Sequence, residues 1–293
     1  MCAQHERARS VRLPPPVANP PRIRYKIRMN TLADLTAQIK EKSHAVVPFP
    51  LSHADFQAAI NLFVHFLARS IEEKKAVYYN LNMGDKRGVD VGYQIRRRSE
   101  GHIDNREFFH YHPIAEEHFR AQAEASPELR ALLNAMRHIY DTGTETTRDI
   151  IHTLNTAYPG LYEQFFPEQR EPRFCLRFLK YDLAEPGAFL AKGHYDRGGC
   201  TLALAESAPG LRIGIDDLHL RDVVHDEGKV LFMPALNFPN FTQNEIPPTW
   251  HDVIQRSEDA YSNDIARWAI VFFADVYNKP NSTWEDRHRP QRI

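Results

Sequence analysis

The segment FLAKGHYDRGGCTLALAESAPGLRIG, residues 189–214, places a histidine and a carboxylate two positions apart, between two apolar runs. Side chains at positions i and i+2 of an extended chain point to the same face. We therefore expect His194 and Asp196 to present an imidazole and a carboxylate side by side at a strand end. Such a pair can bind a metal, relay a proton or form a surface ion pair, and the rest of the chain has to decide among these roles.

The β-prone pattern around this pair extends over the C-terminal half of the sequence. After Gly160, short apolar runs alternate with turn residues: RFCLRFLKY, AFLAKGHY, CTLALAE, LRIGI, KVLFMPAL, WHDVIQ and RWAIVFFAD. A spacing of about 8–12 residues between short strands is typical of an all-β sandwich or barrel.

The N-terminal half has a different hydrophobic period. We predict a strand at residues 44–50, a helix at about 54–75 and a helical region at about 113–156, with an irregular segment at 76–113. The sequence therefore predicts an α+β fold in which a helical N-terminal half supports a β-rich C-terminal half.

The composition bounds the class of protein. The chain has 293 residues, of which 42% are hydrophobic and 26% charged, and its formal net charge is −1. These values are ordinary for a globular protein and give no reason to expect a nucleic acid or a membrane as partner. We find no apolar run long enough to span a bilayer. The three cysteines, Cys2, Cys175 and Cys200, are few and odd in number, which favours a reducing compartment and a cytoplasmic location.

The first thirty residues differ from the rest, since they are proline-rich and basic, with Glu6 as their only acidic residue. We interpret residues 1–30 as a disordered extension or as sequence upstream of a working start at Met29; a transit peptide is the alternative. The remaining chain divides into a helical support region at 31–170, a β-rich domain at 171–280 and a C-terminal tail at 281–293.

A His-x-Asp pair is weak evidence by itself in a chain with 15 histidines. Two further copies occur, His53-Ala54-Asp55 at a predicted helix N-terminus, where an aspartate favours the helix dipole, and His102-Ile103-Asp104 in a charged loop. Only the copy at residues 194–196 lies between two β-prone runs, where a rigid scaffold can hold metal ligands in place.

A third ligand should come from a later strand. His251 is the best candidate because it begins another β-prone run, whereas His219 and His225 lie in a polar segment where we expect exposure. Two histidines and one carboxylate on one face, with open positions opposite, form the facial triad of non-haem Fe(II) oxygenases.

Arg267 adds a fourth candidate because it opens the apolar run RWAIVFFAD. A charge at the start of a core strand needs a partner, and a guanidinium matches a carboxylate with two hydrogen bonds. The ligand could be a bound carboxylate; the alternative is an ion pair with a surface acid such as Asp264.

Together these pieces resemble the iron(II)- and 2-oxoglutarate-dependent oxygenases, in the branch similar to isopenicillin N synthase and plant dioxygenases. The resemblance covers about residues 173–275. RFCLRFLKY is similar to the strand that brings a tyrosine, here Tyr181, to the cosubstrate. GHYDRGGCTLALAESAPGLRIG is similar to the family's His-x-Asp, Thr-Leu and Gly-Leu-Gln-Val run, FTQNEIPPTWHDV to its loop before the distal histidine, and RWAIVFF to its Arg-x-Ser strand.

The resemblance implies a double-stranded β-helix (jelly roll) core at residues 171–280. It also implies Fe(II) held by His194, Asp196 and His251, with 2-oxoglutarate as cosubstrate and ascorbate as a stimulant. The far carboxylate of 2-oxoglutarate would pair with Arg267 and Tyr181. The implied reaction couples oxidative decarboxylation of 2-oxoglutarate to hydroxylation or related oxidation of a C–H bond in a small molecule.

Three departures from the family pattern stand out. Residues 233–236, Met-Pro-Ala-Leu, replace an Asn-Ile-Gly-Asp sequence before the distal loop. Ala269 replaces the serine of Arg-x-Ser, which removes one hydroxyl from the cosubstrate carboxylate, and Asp252 follows the distal histidine where an arginine is usual. The metal ligands are untouched by these changes.

Three other functions stay open at this point. The first is an iron oxidase of the same fold that does not use 2-oxoglutarate, with Arg267 binding the substrate's own carboxylate. The second is a catalytically silent metal-binding protein, and the third is a cupin-like isomerase with another divalent metal. The sequence specifies neither the substrate nor the oligomeric state.

The remaining conspicuous residues have plainer explanations. We interpret the basic run at 96–98 as a solvated face, the aromatic residues of NREFFHY as core, and His110 and His112 as structural or surface groups.

Overall fold

The computed structural model describes residues 31–81, 89–96, 105–256, 260–262 and 264–278. The predictions for the extension at 1–30, for the tail at 281–293, for Arg97 and Arg98 and for the His102–Asp104 pair lie outside the described residues.

Seven α-helices are present within these ranges, and most precede the long strand that begins at Phe174. They are α1 Leu32–Lys42, α2 His53–Leu67, α3 Ile71–Lys75, α4 Arg120–Ala125, α5 Pro127–Asn155, α6 Leu161–Phe165 and α7 Phe238–Phe241, with a 3₁₀ turn at Pro113–Glu117. No helix in the described part of the chain is both long and apolar enough to cross a membrane.

The strands are all antiparallel to their neighbours. They are β1 Ala45–Pro48, β2 Tyr78–Leu81, β3 Val89–Arg96, β4 Arg106–Tyr111, β5 Phe174–Asp182, β6 Phe189–Tyr195, β7 Cys200–Glu206, β8 Leu211–Gly214, β9 Leu220–Asp222, β10 Lys229–Pro234, β11 Trp250–Ile254 and β12 Ile265–Ala274. Among the described residues, one sheet has eight strands in the order β1-β10-β7-β12-β5-β4-β3-β2, and the other has four in the order β6-β11-β8-β9.

The predicted helix at 54–75 is two helices. Helix α2 ends at Leu67, and Ser70 begins α3 with a capping box in which its side chain accepts from the backbone of Glu73 and the Glu73 carboxylate accepts from the backbone of Ser70. Ser52 and Asp55 form the same arrangement at the start of α2. Asp55 of the first extra His-x-Asp copy is thus a capping residue, as its position at a helix N-terminus predicted.

The prediction of an irregular segment at 76–113 is wrong where the structure describes it, because β2, β3 and β4 are strands of the large sheet. Strand β4 pairs with β5, and β1 pairs with β10. The N-terminal region therefore contributes strands to the same sheet as the C-terminal region, as well as most of the helices.

Alternate residues of the central strands build two cores. Leu176 and Phe178 of β5 pack with the helices on one side of the large sheet, while Leu179 and Tyr181 face the small sheet. Helix α5 approaches β12 so closely that a Cβ at Gly143 would lie 2.8 Å from the Phe272 ring. The second core lies between the sheets, and the candidate site lies at its edge.

Candidate metal centre and its cavity

His194 and His251 meet because their strands are neighbours. Strand β6 pairs with β11 in the small sheet, with His194 directly opposite His251 and Tyr195 opposite Trp250. The ring centroids of the two histidines lie 4.4 Å apart. Two residues far apart in sequence are therefore placed by backbone hydrogen bonds, independently of any ligand.

Asp196 completes the cluster just beyond the end of β6. Its Oδ1 lies 3.6 Å from Nε2 of His194, and its Oδ2 lies 3.8 Å from Nε2 of His251. The hydroxyl of Thr201 donates to Oδ2 at 2.6 Å and fixes the carboxylate. Within the described residues, these three side chains form the one group of three or more acidic, histidine or cysteine residues close enough to share a metal ion.

The electrostatics favour a cationic ligand at this cluster. Burial opposes ionisation of Asp196, but His251, His194 and Thr201 outweigh it and hold the pKa of the carboxyl well below its usual range. Burial lowers the pKa of His251 against the attraction of Asp196, so this imidazole favours the neutral form that binds metals. An ionised carboxylate and imidazole nitrogens form a donor set suited to a divalent first-row metal.

One side of the cluster is open to the solvent. The side chain of His194 is 45% exposed, whereas those of Asp196 and His251 are 16% and 11% exposed. The Nδ1 atom of His194 lies 2.7 Å from the carbonyl oxygen of Lys192, which orients the ring and leaves Nε2 toward the cluster. A ligand can therefore reach the centre past His194.

Gly193 is needed beside the first histidine. A Cβ at this position would lie 2.7 Å from the Trp250 ring, which itself packs edge-on against Tyr195 at a centroid distance of 4.8 Å. The close approach of the indole to the backbone of β6 supports the strand pair that carries both histidines.

His219 is exposed as predicted, with a side chain 66% exposed and its Nδ1 2.7 Å from Asp216. The prediction of exposure is wrong for His225, whose side chain is only 13% exposed. Its Nε2 lies 2.9 Å from the carbonyl oxygen of Ala203, and its Nδ1 lies 3.4 Å from the carboxylate of Glu206. His225 lines the same cavity as the metal cluster, because the chain after β9 folds back over β7.

Arg267 and Tyr181 are directly opposite each other on β12 and β5, and both line this cavity. Arg267 is only 2% exposed. Its guanidinium forms an ion pair with Glu206, at the end of β7, and not with Asp264, whose carboxylate instead accepts from Ser262. The partner predicted for a structural ion pair was thus wrong, but a carboxylate from the chain does engage the arginine.

Glu206 is the residue that the sequence patterns missed. Burial disfavours its charge, but Arg267 and His225 outweigh burial and lower its pKa. Nη1 and Nε of Arg267 have no hydrogen-bond partner among the described residues. Glu206 therefore satisfies only part of the guanidinium, which can donate further hydrogen bonds to a second carboxylate. The one signal in the sequence is an acidic residue that ends the apolar run CTLALAE.

Of the residues that depart from the family pattern, Ala269 and Met233 line this cavity, and Leu236 donates from its backbone to the carbonyl oxygen of Asp196 at 2.9 Å. Ala269 lies opposite Leu179 on one side and Glu206 on the other. Asp252 lies opposite Arg212 and accepts two hydrogen bonds from its guanidinium, at 2.7 and 2.6 Å. Met233 packs in the core between the sheets.

The aromatic residues of NREFFHY are core residues, as predicted: Phe108, Phe109 and Tyr111 are 8%, 0% and 2% exposed. His112 is structural, since it is 1% exposed and its Nδ1 accepts from the backbone of Ile114. Arg96 ends β3, opposite Arg106.

We compared the sequence and the fold with those of known proteins. No protein-family model matches the sequence, and neither does any curated protein sequence. Among solved structures, the chain is similar to a protein from Caulobacter crescentus described as a 2OG-Fe(II) oxygenase family protein, with a TM-score of 0.62 and 23% identity over 83% of this chain and 81% of that one.

Two further structures carry ligands. A full-length Neurospora crassa protein in complex with alpha-KG and 5-formyluracil has a TM-score of 0.62 and 16% identity, over 84% of this chain and 78% of that one. JOX2 in complex with 2OG, Fe and JA has a TM-score of 0.63 and 16% identity, over 85% of this chain and 72% of that one. The chain therefore has the fold of the 2-oxoglutarate- and iron-dependent oxygenases.

Proposed function

We propose that the protein is a non-haem iron oxygenase that couples oxidative decarboxylation of 2-oxoglutarate to hydroxylation or related oxidation of a C–H bond in a small molecule. The observation that carries this proposal is the cluster of His194, Asp196 and His251 at the edge of a two-sheet core. The fold is shared with structures that are described as complexes with 2-oxoglutarate and, in one case, also with iron. In this proposal the two antiparallel sheets would form the double-stranded β-helix core.

In this proposal His194, Asp196 and His251 hold Fe(II). When bound, iron and 2-oxoglutarate supply the activation of oxygen. The chain contributes the rest: Thr201 fixes the Asp196 carboxylate, the Lys192 carbonyl orients His194, and the apolar walls between the sheets exclude water. Arg267 and Tyr181 would receive the far carboxylate of 2-oxoglutarate.

The pairing of Arg267 with Glu206 supports a second candidate function. An arginine already neutralised by a carboxylate of the chain is a weaker receptor for 2-oxoglutarate. An iron oxidase of the same fold, which takes electrons from the substrate itself, would use the cluster without the cosubstrate. The first function remains the better supported, because the arginine lines the cavity and two of its nitrogens have no partner among the described residues.

Succinate formation separates the two functions. The protein is incubated with Fe(II), ascorbate, 2-oxoglutarate and a panel of small molecules, and both succinate and oxidised products are measured. Succinate formed in step with product supports the first function. Oxidised product without succinate supports the oxidase. If neither succinate nor an oxidised product forms, the protein binds metal but has neither of these activities.

The division of the chain also belongs to the proposal. Residues 171–280 would be the catalytic unit and 31–170 its support, which is consistent with the location of the cluster on β6 and β11. A cytoplasmic location stays a prediction, consistent with Cys175 and Cys200 being free thiols. The small-molecule partner is supported by the 5-formyluracil and JA named for the Neurospora crassa and JOX2 structures.

A further inference from the structure

We propose that Arg177 is the residue that binds a carboxylate of the substrate, and that the substrate is a small apolar carboxylic acid. This inference rests on the proposed function, because it identifies the molecule that would be oxidised at the same metal cluster.

Arg177 lies in the wall of the cavity that holds the metal cluster. It is on β5, where residues 177, 179 and 181 face the small sheet, and it lines the cavity together with His194, Asp196 and His251. It lies opposite His110 of β4 on one side and Val271 of β12 on the other. Along β5 it precedes Tyr181, the residue opposite Arg267, by four positions. The guanidinium is therefore separated along the strand from the proposed cosubstrate position.

The guanidinium of Arg177 is held rigidly. Its Nε donates to Nε2 of His110 at 2.7 Å, and its central carbon lies 5.2 Å from the Phe108 ring centroid and 4.5 Å from that of Phe273. Since Nε is used by His110, the two terminal amino groups are left, which is the edge that binds a carboxylate with two parallel hydrogen bonds.

His110 does not neutralise this charge. Its Nε2 accepts from the arginine, so the proton of the neutral ring is on Nδ1, which lies 3.0 Å from the carbonyl oxygen of Asp90. Burial, followed by the repulsion of Arg177, lowers the pKa of His110 well below its usual value. His110 is a neutral acceptor that orients the arginine.

Arg177 has no carboxylate of the described residues within ion-pair distance; its close partners are the imidazole and the two rings. Asp196 attracts it from further away, and Arg106 repels it. In the proposed enzyme Asp196 is a metal ligand, so the metal neutralises its charge. Arg177 is half-buried. A cation that is partly withdrawn from water without a counter-ion is costly, so a rigid one in a cavity wall is a receptor for an anion.

The lining of the cavity leads to the same conclusion. Arg177 lines it together with Arg267, Asp196 and Glu206, and Glu206 already pairs with Arg267. Arg177 is therefore available for a separate carboxylate, and Leu179 and Met233 in the walls match an apolar body.

The test measures binding and not turnover. The protein is loaded with Zn(II) and saturating 2-oxoglutarate, and calorimetry gives the affinity for 3-phenylpropionate, cyclohexylacetate and octanoate, each beside its neutral amide. We expect at least one acid to bind about tenfold or more tightly than its amide. In Arg177→Gln this preference should disappear, and in Arg177→Lys it should shrink, because an ammonium keeps the charge but loses the two-point contact.

Arg170→Gln is the matched control. Arg170 is also held over an aromatic ring, 5.3 Å from the Tyr277 centroid, but it is exposed and does not line the cavity. Its replacement should leave the preference for acids unchanged. Zinc content and circular dichroism show whether each variant is folded. If Arg177→Gln is not folded, the preference for acids over amides in Arg177→Lys tests the proposal.

Three results would overturn the proposal: equal affinity for acids and amides in the wild type, binding of no acid in the panel, or a preference that survives in folded Arg177→Gln. Failure of the proposed function has a separate signature, which is the absence of zinc or 2-oxoglutarate binding, or of succinate. Repeating the titrations without 2-oxoglutarate shows whether the preference for acids exists on its own.

Discussion

His194 and His251 are a directly opposed cross-strand pair, with ring centroids 4.4 Å apart, although 56 residues lie between them in the sequence. Their distance is set by the β6–β11 ladder, and the ladder is fixed by backbone hydrogen bonds and by the packing of Trp250 on Gly193. Only Asp196 stands outside a strand, and Thr201 holds it. The cluster is therefore organised by the fold before any metal binds.

Replacing Asp196 by alanine should reduce the affinity for Fe(II) by at least about 100-fold, since loss of groups that merely support a metal ligand already costs about 10–100-fold. The variant leaves two neutral imidazoles for a dication. Metal content after anaerobic loading and dialysis, measured by elemental analysis, checks this. Asp216→Ala is the control, because Asp216 also pairs with a histidine, His219, at 2.7 Å but on the exposed surface. Equal metal content in wild type and Asp196→Ala would refute the ligand assignment.

Replacing Gly193 by alanine should disturb both histidines without removing either. The new Cβ would lie 2.7 Å from the Trp250 ring, and overpacking of this kind costs about 1–3 kcal/mol. We expect a lower free energy of unfolding in urea and weaker metal binding. The double variant Gly193→Ala/Trp250→Phe, with a smaller ring, should lose less than the sum of the two single changes. Strict additivity would show that the contact does not position β6.

The parts of the site that the sequence could predict are those set by local patterns. The i and i+2 spacing placed His194 beside Asp196, and the start of a later β-prone run placed His251 on the same surface. Glu206 could not be found in this way. Its pairing with Arg267 depends on β7 lying beside β12, a register decided by the packing of the whole sheet.

The fold was predicted in the same uneven manner. The strands after Gly160 were found because their apolar runs are continuous, while β2–β4 were missed since Gly92 and polar residues interrupt the alternation of Val91 and Tyr93. The backbone of Gly92 adopts a φ of +86°, and the carbonyl oxygen of Val77 approaches to 2.0 Å of where its Cβ would be. This glycine therefore belongs to a strand that pairs at close range and not to a loop.

Stability should fall as the pH drops below about 6.5, the usual pKa of an unfolded histidine. Burial, and then Arg177, holds the pKa of folded His110 well below that value. The unfolded chain then binds more protons than the folded chain, so the free energy of unfolding decreases by up to about 1.4 kcal/mol per pH unit for this residue. Burial also lowers the pKa of His44 and His112, which adds to the slope.

Urea unfolding of the metal-free protein between pH 7.5 and 5.5 measures this slope without competition between protons and metal. His110→Gln keeps an acceptor for Arg177 but cannot be protonated, so the slope should become shallower. The same slope in wild type and His110→Gln would show that His110 is not the residue that resists protonation.

Replacing Ala269 by serine should tighten the binding of 2-oxoglutarate. A hydrogen bond to a charged group is worth roughly 1.5–3 kcal/mol, which is about tenfold or more in affinity. Titration of the anaerobic Fe(II) protein, followed by the visible charge-transfer band, measures the change. Ala269 lies opposite Glu206, so the new hydroxyl could also bond to that carboxylate, and the gain should be larger when Glu206 is replaced by glutamine. Unchanged or weaker binding in both backgrounds would argue against a cosubstrate carboxylate at this position.

Replacing Glu206 by glutamine should have two effects of opposite sign. The side chains of Glu206 and Arg267 are 7% and 3% exposed, so the ligand-free variant contains a buried guanidinium without its counter-ion, which costs about 3–5 kcal/mol. The same change removes the carboxylate that competes with 2-oxoglutarate, so the cosubstrate should bind more tightly. Thermal unfolding with and without 2-oxoglutarate, together with the charge-transfer titration, measures both effects.

The control for this variant is Glu245→Gln, which removes a carboxylate hydrogen-bonded to Tyr158 at 2.9 Å, outside the residues that line the cavity. It should leave the affinity for 2-oxoglutarate unchanged. If Arg267 is purely structural, Glu206→Gln loses stability and gains no affinity. If Arg267 receives the cosubstrate, 2-oxoglutarate restores much of the lost stability, because its carboxylate then occupies the position that Glu206 held.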